Sequence, residues 1–156
     1  MQKRAILLHN IRSSHNVGSI FRTADGAGVT QIILSGYTPT PIDKFGRPQK
    51  DIAKTALGAE RTITWSYVKT PITTIRRMKK EGVHIVGVEQ DSRSIDYRMF
   101  TESGPTLYLL GNEVRGLSKS LRDTCDTLVE IPMYGKKESL NVSVAAGIVL
   151  FSTISN

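Results

Sequence analysis

Thr106-Leu107-Tyr108-Leu109-Leu110 runs directly into Gly111-Asn112-Glu113-Val114-Arg115-Gly116-Leu117-Ser118. The first five residues carry no charge and are too apolar for a strand with one wet face, so they read as a strand buried on both sides. The glycine-rich turn then opens a helix over Ser118 to Thr124. Strand, turn and helix in that order form the unit of an α/β fold with a parallel sheet. The pattern recurs outward in both directions, with buried strands expected at Ala5 to Leu8, Gln31 to Leu34, His84 to Glu89 and Leu128 to Ile131. Helices are expected at Val17 to Ala27 behind an Asn16 cap and at Pro71 to Glu81 behind Thr70, ended by Gly28 and Gly82. A last helix, Val142 to Ser155, has almost no polar face and must be buried in a core or an interface. Residues 36 to 54, with Pro39, Pro41, Gly46 and Pro48 among lysines and arginines, read as a long exposed loop. The expected architecture is a single α/β domain over residues 1–156, its sheet mostly parallel and covered by helices on both faces.

A chain of 156 residues, 39% hydrophobic and 22% charged, suits one globular domain. Its longest apolar run, Val144 to Phe151, is far short of the roughly 20 residues of a membrane span. Ala5 to Leu8 is too brief for a signal peptide, so a cytoplasmic protein without membrane contact is expected. The single cysteine, Cys125, excludes an internal disulfide, and His9, His15 and His84 lack metal-ligand spacing, so no metal is expected. Asp123 and Asp126 beside Cys125 would raise its pKa, which reads as an inert thiol. The net charge of +7 is unevenly spread: residues 1–80 hold 14 Lys and Arg against 4 Asp and Glu, residues 81–156 hold 7 against 10. Such segregation points to a polyanion, nucleic acid first. Arg76-Arg77-Met78-Lys79-Lys80 is accounted for by the last turn of a helix, where cations complement the dipole. The spread of Arg4, Arg12, Arg22, Lys44, Arg47, Lys50, Lys54 and Arg61 is not.

The turn from Gly111 to Ser118 resembles a P-loop in context but has Leu117 where a phosphate-binding lysine is needed, which argues against nucleotide hydrolysis. Gly26-Ala27-Gly28 fails as a dinucleotide fingerprint, because Gln31 stands in place of the third glycine. What remains is Glu113 just past the carboxyl end of a strand, where ligands gather in open α/β sheets; a plain tight turn with Glu113 in water fits as well. Ile131-Pro132-Met133 makes an apolar rim and Gly135 a turn, a combination suited to an adenine ring and a thioether-like chain. Ser139 and Asn141 read either as caps of the last helix or as groups facing a substrate. Arg22 reads as a snorkelling surface residue or, beside Ile20, Phe21 and Ala24, as a partly buried guanidinium awaiting an anion such as phosphate.

Together these residues resemble the SpoU/TrmH family of RNA ribose 2′-O-methyltransferases, in the SPOUT class. The first family motif is similar to Asn10-Ile11-Arg12-Ser13 through Asn16-Val17-Gly18-Ser19-Ile20-Phe21-Arg22-Thr23-Ala24. The second is similar to Leu109 through Ser118, and the third to Ile131-Pro132-Met133 through Ser139-Leu140-Asn141-Val142-Ser143-Val144-Ala145. Lys54 through Glu60 is similar to a stretch often found between the first two.

The resemblance implies a C-terminal deep trefoil knot, S-adenosylmethionine held by Gly111, Ile131, Met133 and Leu140, and an active site of Arg22, Asn16, Glu113, Ser139 and Asn141. In that reading Asn16 and Glu113 orient the loops, Ser139 lies near the ribose hydroxyl, and Arg22 is the base or a charged stabiliser. It also implies a homodimer through the last helix and the first-motif helix, with Arg22 of one subunit reaching the cofactor of the other. The implied partner is RNA, with tRNA first and rRNA second. Many relatives carry an added RNA-binding domain; without one, recognition falls to the basic first half and the dimer groove. The competing class is a non-catalytic RNA-binding module that keeps the fold, but such a module has no need to keep Arg22, Gly111, Glu113, Ser139 and Asn141 together.

Overall fold

A computed structural model describes residues 3–154 of the chain. Seven strands, β1 (Arg4–His9), β2 (Gln31–Ser35), β3 (Thr64–Val68), β4 (His84–Val88), β5 (Ile95–Asp96), β6 (Thr106–Leu110) and β7 (Thr127–Glu130), form one sheet. Their order is β3-β2-β1-β6-β4-β7-β5, and every neighbouring pair is parallel. Parallel neighbours require crossovers, and five helices lie in them: α1 (Ser14–Gly26), α2 (Lys50–Ala56), α3 (Ala59–Thr62), α4 (Pro71–Lys80) and α5 (Lys119–Arg122); α6 (Val142–Ser152) follows the last strand.

Alternation along the strands sends side chains to two cores. Ile6, Leu8, Ile32, Leu34, Tyr108 and Leu110 meet Val17, Ile20, Phe21 and Ala24 of α1, together with α2 and α6. Ala5, Leu7, Ile33, Leu107 and Leu109 meet Ile75 and Met78 of α4 and Leu121 of α5. Helices therefore cover both faces, as the apolar strands require. Helix α1 lies close against α2, because a Cβ at Gly18 would fall 2.0 Å from Thr55 Oγ1 and 2.3 Å from the Ile52 carbonyl oxygen.

Several expectations change. The cap of α1 is Ser13, whose hydroxyl accepts from the Asn16 N–H at 3.1 Å, so Asn16 is inside the first turn and its side chain is released for other work. The loop after β2 ends at Gln49, where α2 begins. Strands β3 and β5 add to the five expected; both sit at the sheet edges, and neither has a fully buried residue to mark it as an apolar run. Helix α6 stops at Ser152, and Ser155, the expected end, lies outside the described residues. One face of α6 is buried through Val142, Ala146, Val149 and Leu150, while Val144 and Phe151, and Ile154 just beyond it, remain exposed.

Candidate active site

The carboxyl ends of β6, β4 and β7 lie side by side, and the segments that leave them enclose a cleft of about 320 Å³. That volume is within the range of about 300–1,000 Å³ typical of small-molecule sites. Gly111 and Glu113 enter it from β6, Glu89 and Gln90 from β4, and Ile131, Met133, Ser139 and Leu140 from the segment after β7. All four residues expected to hold the cofactor therefore line one cleft, with Glu113 and Ser139 beside them.

The turn after β6 is built without slack. A Cβ at Gly111 would meet the Gly116 carbonyl carbon at 2.5 Å, and Gly116 has a φ of +65°, in the left-handed region that favours glycine. Asn112 fixes the turn from within, its Oδ1 accepting from the N–H groups of Val114 and Arg115 at 2.9 and 2.8 Å. Glu89 ties the turn to β4, accepting from the Leu117 N–H at 2.7 Å. Gln90 Nε2 donates to the Glu138 carbonyl oxygen at 2.5 Å and so fastens the last segment to the same wall. Sequence reading misses Glu89 and Gln90, because each acts on a segment distant in the chain, and it meets Asn112 only as a member of the turn, without the hydrogen bonds that fix it.

Glu113 is the hub. Its Oε2 accepts from the Arg12 N–H at 3.1 Å, and its Oε1 accepts from the Ser13 N–H at 3.2 Å and from Asn16 Nδ2 at 3.3 Å. Burial pushes the carboxyl pKa up, but these donors outweigh it and hold Glu113 below the ordinary value of 4.5. The group is therefore an anion that orients the start of α1, which suits its charge to the helix N-terminus. Asn16 passes the connection on, its Oδ1 accepting from Asn141 Nδ2 at 3.2 Å. Asn141 also caps α6, with Oδ1 accepting from the Ser143 N–H at 2.9 Å. The capping role thus falls to Asn141 and not to Ser139. The chain Glu113–Asn16–Asn141 joins all three motif segments, which stand 97 and 125 residues apart.

Arg22 does not join them. It is exposed on α1 and does not line the cleft, so the expectation of a partly buried guanidinium is corrected for the single chain. The inward positions of α1 are Val17, Ile20, Phe21 and Ala24; Arg22 follows Phe21 by about 100° of helix rotation and turns away from them. The basic spread is corrected too, since Arg4 is buried and bonded to Glu102, whereas Arg12, Lys44, Arg47, Lys50, Lys54 and Arg61 are not buried. Cys125 is half-buried, and burial first, then the charge of Asp126, push its thiol up to about 11. Among the described residues no cluster of His, Cys, Asp and Glu is suited to a metal, and no helix is long and apolar enough to cross a membrane.

Residues 3–151 match the model of the SpoU rRNA Methylase family. The chain belongs to that family. It is 36% identical over 149 residues to the 23S rRNA (guanosine-2′-O-)-methyltransferase RlmB of Ralstonia nicotianae, covering 96% of this chain and 57% of that protein. An AdoMet-bound rRNA methyltransferase from Sinorhizobium meliloti superposes with a TM-score of 0.87 at 32% identity, over 97% of this chain and 56% of the other. The A. aeolicus TrmH/SpoU tRNA modifying enzyme superposes with a TM-score of 0.85 at 28% identity, over 97% and 74%. The chain thus spans just over half the length of the curated relatives it matches.

As a member of the SpoU family, the chain has a cleft chemically suited to S-adenosylmethionine. Ile131, Met133, Leu140 and Val142 offer apolar walls to an adenine ring and an alkyl chain. Glu89, Glu130 and Glu138 at the same cleft offer negative charge to the sulfonium and the amino group.

Proposed function

We propose that the chain methylates a ribose 2′-hydroxyl of RNA, using S-adenosylmethionine bound in the cleft at the ends of β6, β4 and β7. The observation that carries this reading is that two motif segments line that cleft and the first, which does not line it, is tied to them by the hydrogen bonds of Asn16 to Glu113 and Asn141. When bound, S-adenosylmethionine supplies an electrophilic methyl group on a sulfonium. Gly111, Ile131, Met133 and Leu140 hold it, while Glu113 and Asn16 keep the first-motif loop in register with the cleft. Ser139 lies exposed along the cleft, which supports its role beside the ribose hydroxyl.

Arg22 completes the site from a second copy of the chain. A homodimer across α1 and the exposed Val144, Phe151 and Ile154 would cover apolar surface and carry Arg22 towards the partner's cleft. With its guanidinium in water in the single chain, Arg22 reads best as a cation that positions the adjoining phosphate and stabilises the developing alkoxide. The deep trefoil threading of the C-terminal segment and a cytoplasmic setting belong to the same proposal.

The sequence alone sets tRNA before rRNA. The curated relatives reverse that order, since RlmB proteins act on 23S rRNA, and rRNA is therefore the preferred substrate class. The test is transfer of labelled methyl groups to rRNA and, separately, to tRNA, followed by nuclease digestion and nucleoside mass analysis. A 2′-O-methyl nucleoside from rRNA is the expected result; no transfer to either pool by chain that binds S-adenosylmethionine would leave a non-catalytic module. Arg22→Ala should abolish transfer with cofactor affinity unchanged by calorimetry, whereas loss of both would make Arg22 structural.

A further inference from the structure

We propose that the open recess lined by Arg12, Tyr37, Asn112, Val114 and Arg115 grips the RNA phosphodiester next to the ribose being methylated. This rests on the RNA methyltransferase reading above and says where its substrate lies. Asn112 and Val114 line both this recess and the cofactor cleft, so a single turn is the wall between them. A nucleotide on one side of that wall would have its sugar within reach of a methyl group on the other.

The lining is suited to a phosphate. Among the described residues the guanidinium groups of Arg12 and Arg115 form no ion pair or hydrogen bond, whereas Arg47, Arg77, Arg93 and Arg98 are each committed to a carboxylate. Both stems nevertheless start from fixed backbone. The Arg12 N–H donates to Glu113 at 3.1 Å and the Arg115 N–H to Asn112 at 2.8 Å, so the two cations are anchored to the same turn. Paired guanidinium groups match phosphate oxygens in both charge and planar geometry.

Tyr37 adds direction. Its hydroxyl accepts from Asn112 Nδ2 at 2.9 Å, which leaves its own proton to donate to a phosphate or sugar oxygen. The residue is 58% exposed, and its ring offers a face to a neighbouring unstacked base. The loop that holds Tyr37 continues to Phe45, 69% exposed, with Lys44 Nζ 5.0 Å and the Arg47 guanidinium 4.9 Å from its ring centre. Aromatic faces interleaved with cations are what single-stranded RNA stacks upon.

The test uses the full chain and a labelled short single-stranded RNA of mixed sequence, with binding followed by fluorescence anisotropy over a salt series. The double variant Arg12→Ala/Arg115→Ala should bind at least tenfold more weakly. Its plot of log affinity against log salt should flatten by about 0.7 for each phosphate that the variant no longer neutralises. Its affinity for S-adenosylmethionine, measured by calorimetry, should stay within twofold, which also reports that the variant is folded. Arg76→Ala/Lys80→Ala, on the far end of α4, should change RNA binding less than twofold. Binding within twofold of wild type for the Arg12/Arg115 pair, or an equal loss for the α4 pair, overturns the recess while leaving the methyltransferase reading intact. Equal displacement of RNA by polyglutamate at matched charge overturns it in favour of an acidic protein partner. Wild-type chain that holds S-adenosylmethionine but no RNA overturns both.

Discussion

Helices α1 and α6 are pinned to the sheet at both ends by polar groups, and the two ends are built on opposite chemistry. At their C-terminal ends, Arg4 donates to the carbonyl oxygens of Ala27 and Leu150 and to Thr153 Oγ1, with its Nε 2.9 Å from Glu102 Oε1. Tyr108 donates to the same carboxylate, and all of these side chains are buried. At the N-terminal ends the anion Glu113 and the amides of Asn16 and Asn141 do the pinning, half in water and beside the cleft. Each charge complements the helix dipole it meets. Breaking the enclosed end should therefore cost stability, whereas breaking the open end should disturb the register of the three motif segments beside the cleft.

The largest expected effect is on the enclosed end. Arg4→Met leaves Glu102 buried without its cation and should cost about 3–5 kcal/mol, read from urea unfolding at fixed protein concentration. Arg4→Met/Glu102→Leu should recover much of that loss, because it removes the orphaned charge as well. A loss below about 1 kcal/mol for the single variant would break the contrast. On the open end, Glu113→Gln should slow methyl transfer on the order of 100-fold through misplacement of the first-motif loop. Its unfolding free energy should change by less than about 1 kcal/mol, since the carboxylate is only half shielded from water. Equal stability losses for Arg4→Met and Glu113→Gln would make both ends structural.

The two ends also differ in how far local pattern reveals them. The buried strands, the helices α1 and α4 and their glycine stops follow from apolar periodicity and turn chemistry. Strand β3 does not, because Thr64-Trp65-Ser66-Tyr67-Val68 is an edge strand with two exposed and three half-buried positions. Arg4 passes for a surface cation in the sequence, since a lone arginine ahead of an apolar strand looks the same whether its partner, 98 residues away, buries it or not. At the open end Asn16, Glu113 and Asn141 are recognisable only through their motif context; their hydrogen bonds span most of the chain and have no local signature. Arg22 is misleading because adjacent apolar residues suggest a shared face, whereas neighbours along a helix point about 100° apart.

Asn141 separates capping from tethering. Asn141→Ala should destabilise by about 1 kcal/mol through loss of the α6 cap, and should also slow methyl transfer. Asn141→Asp keeps an oxygen for the Ser143 N–H but has nothing to donate to Asn16 Oδ1. It should restore the unfolding midpoint without restoring the rate. Recovery of both would mean that the Asn16 contact is incidental.

The smallest effect carries a distinct pH signature. Glu113 is held below its ordinary value of 4.5 in the folded chain, so the folded state binds its proton less readily than the unfolded state does. Its contribution is therefore fully present above about 4.5 and is lost as pH falls through the lower folded value. The stability difference between wild type and Glu113→Gln should stay flat from neutral pH down to about 5 and then shrink towards zero. Chemical unfolding of both proteins across that range gives the curve directly. A difference that persists unchanged to about pH 3 would mean that the amides of Arg12, Ser13 and Asn16 hold the neutral carboxyl as firmly as the anion, and the open end would owe its register to shape rather than to charge.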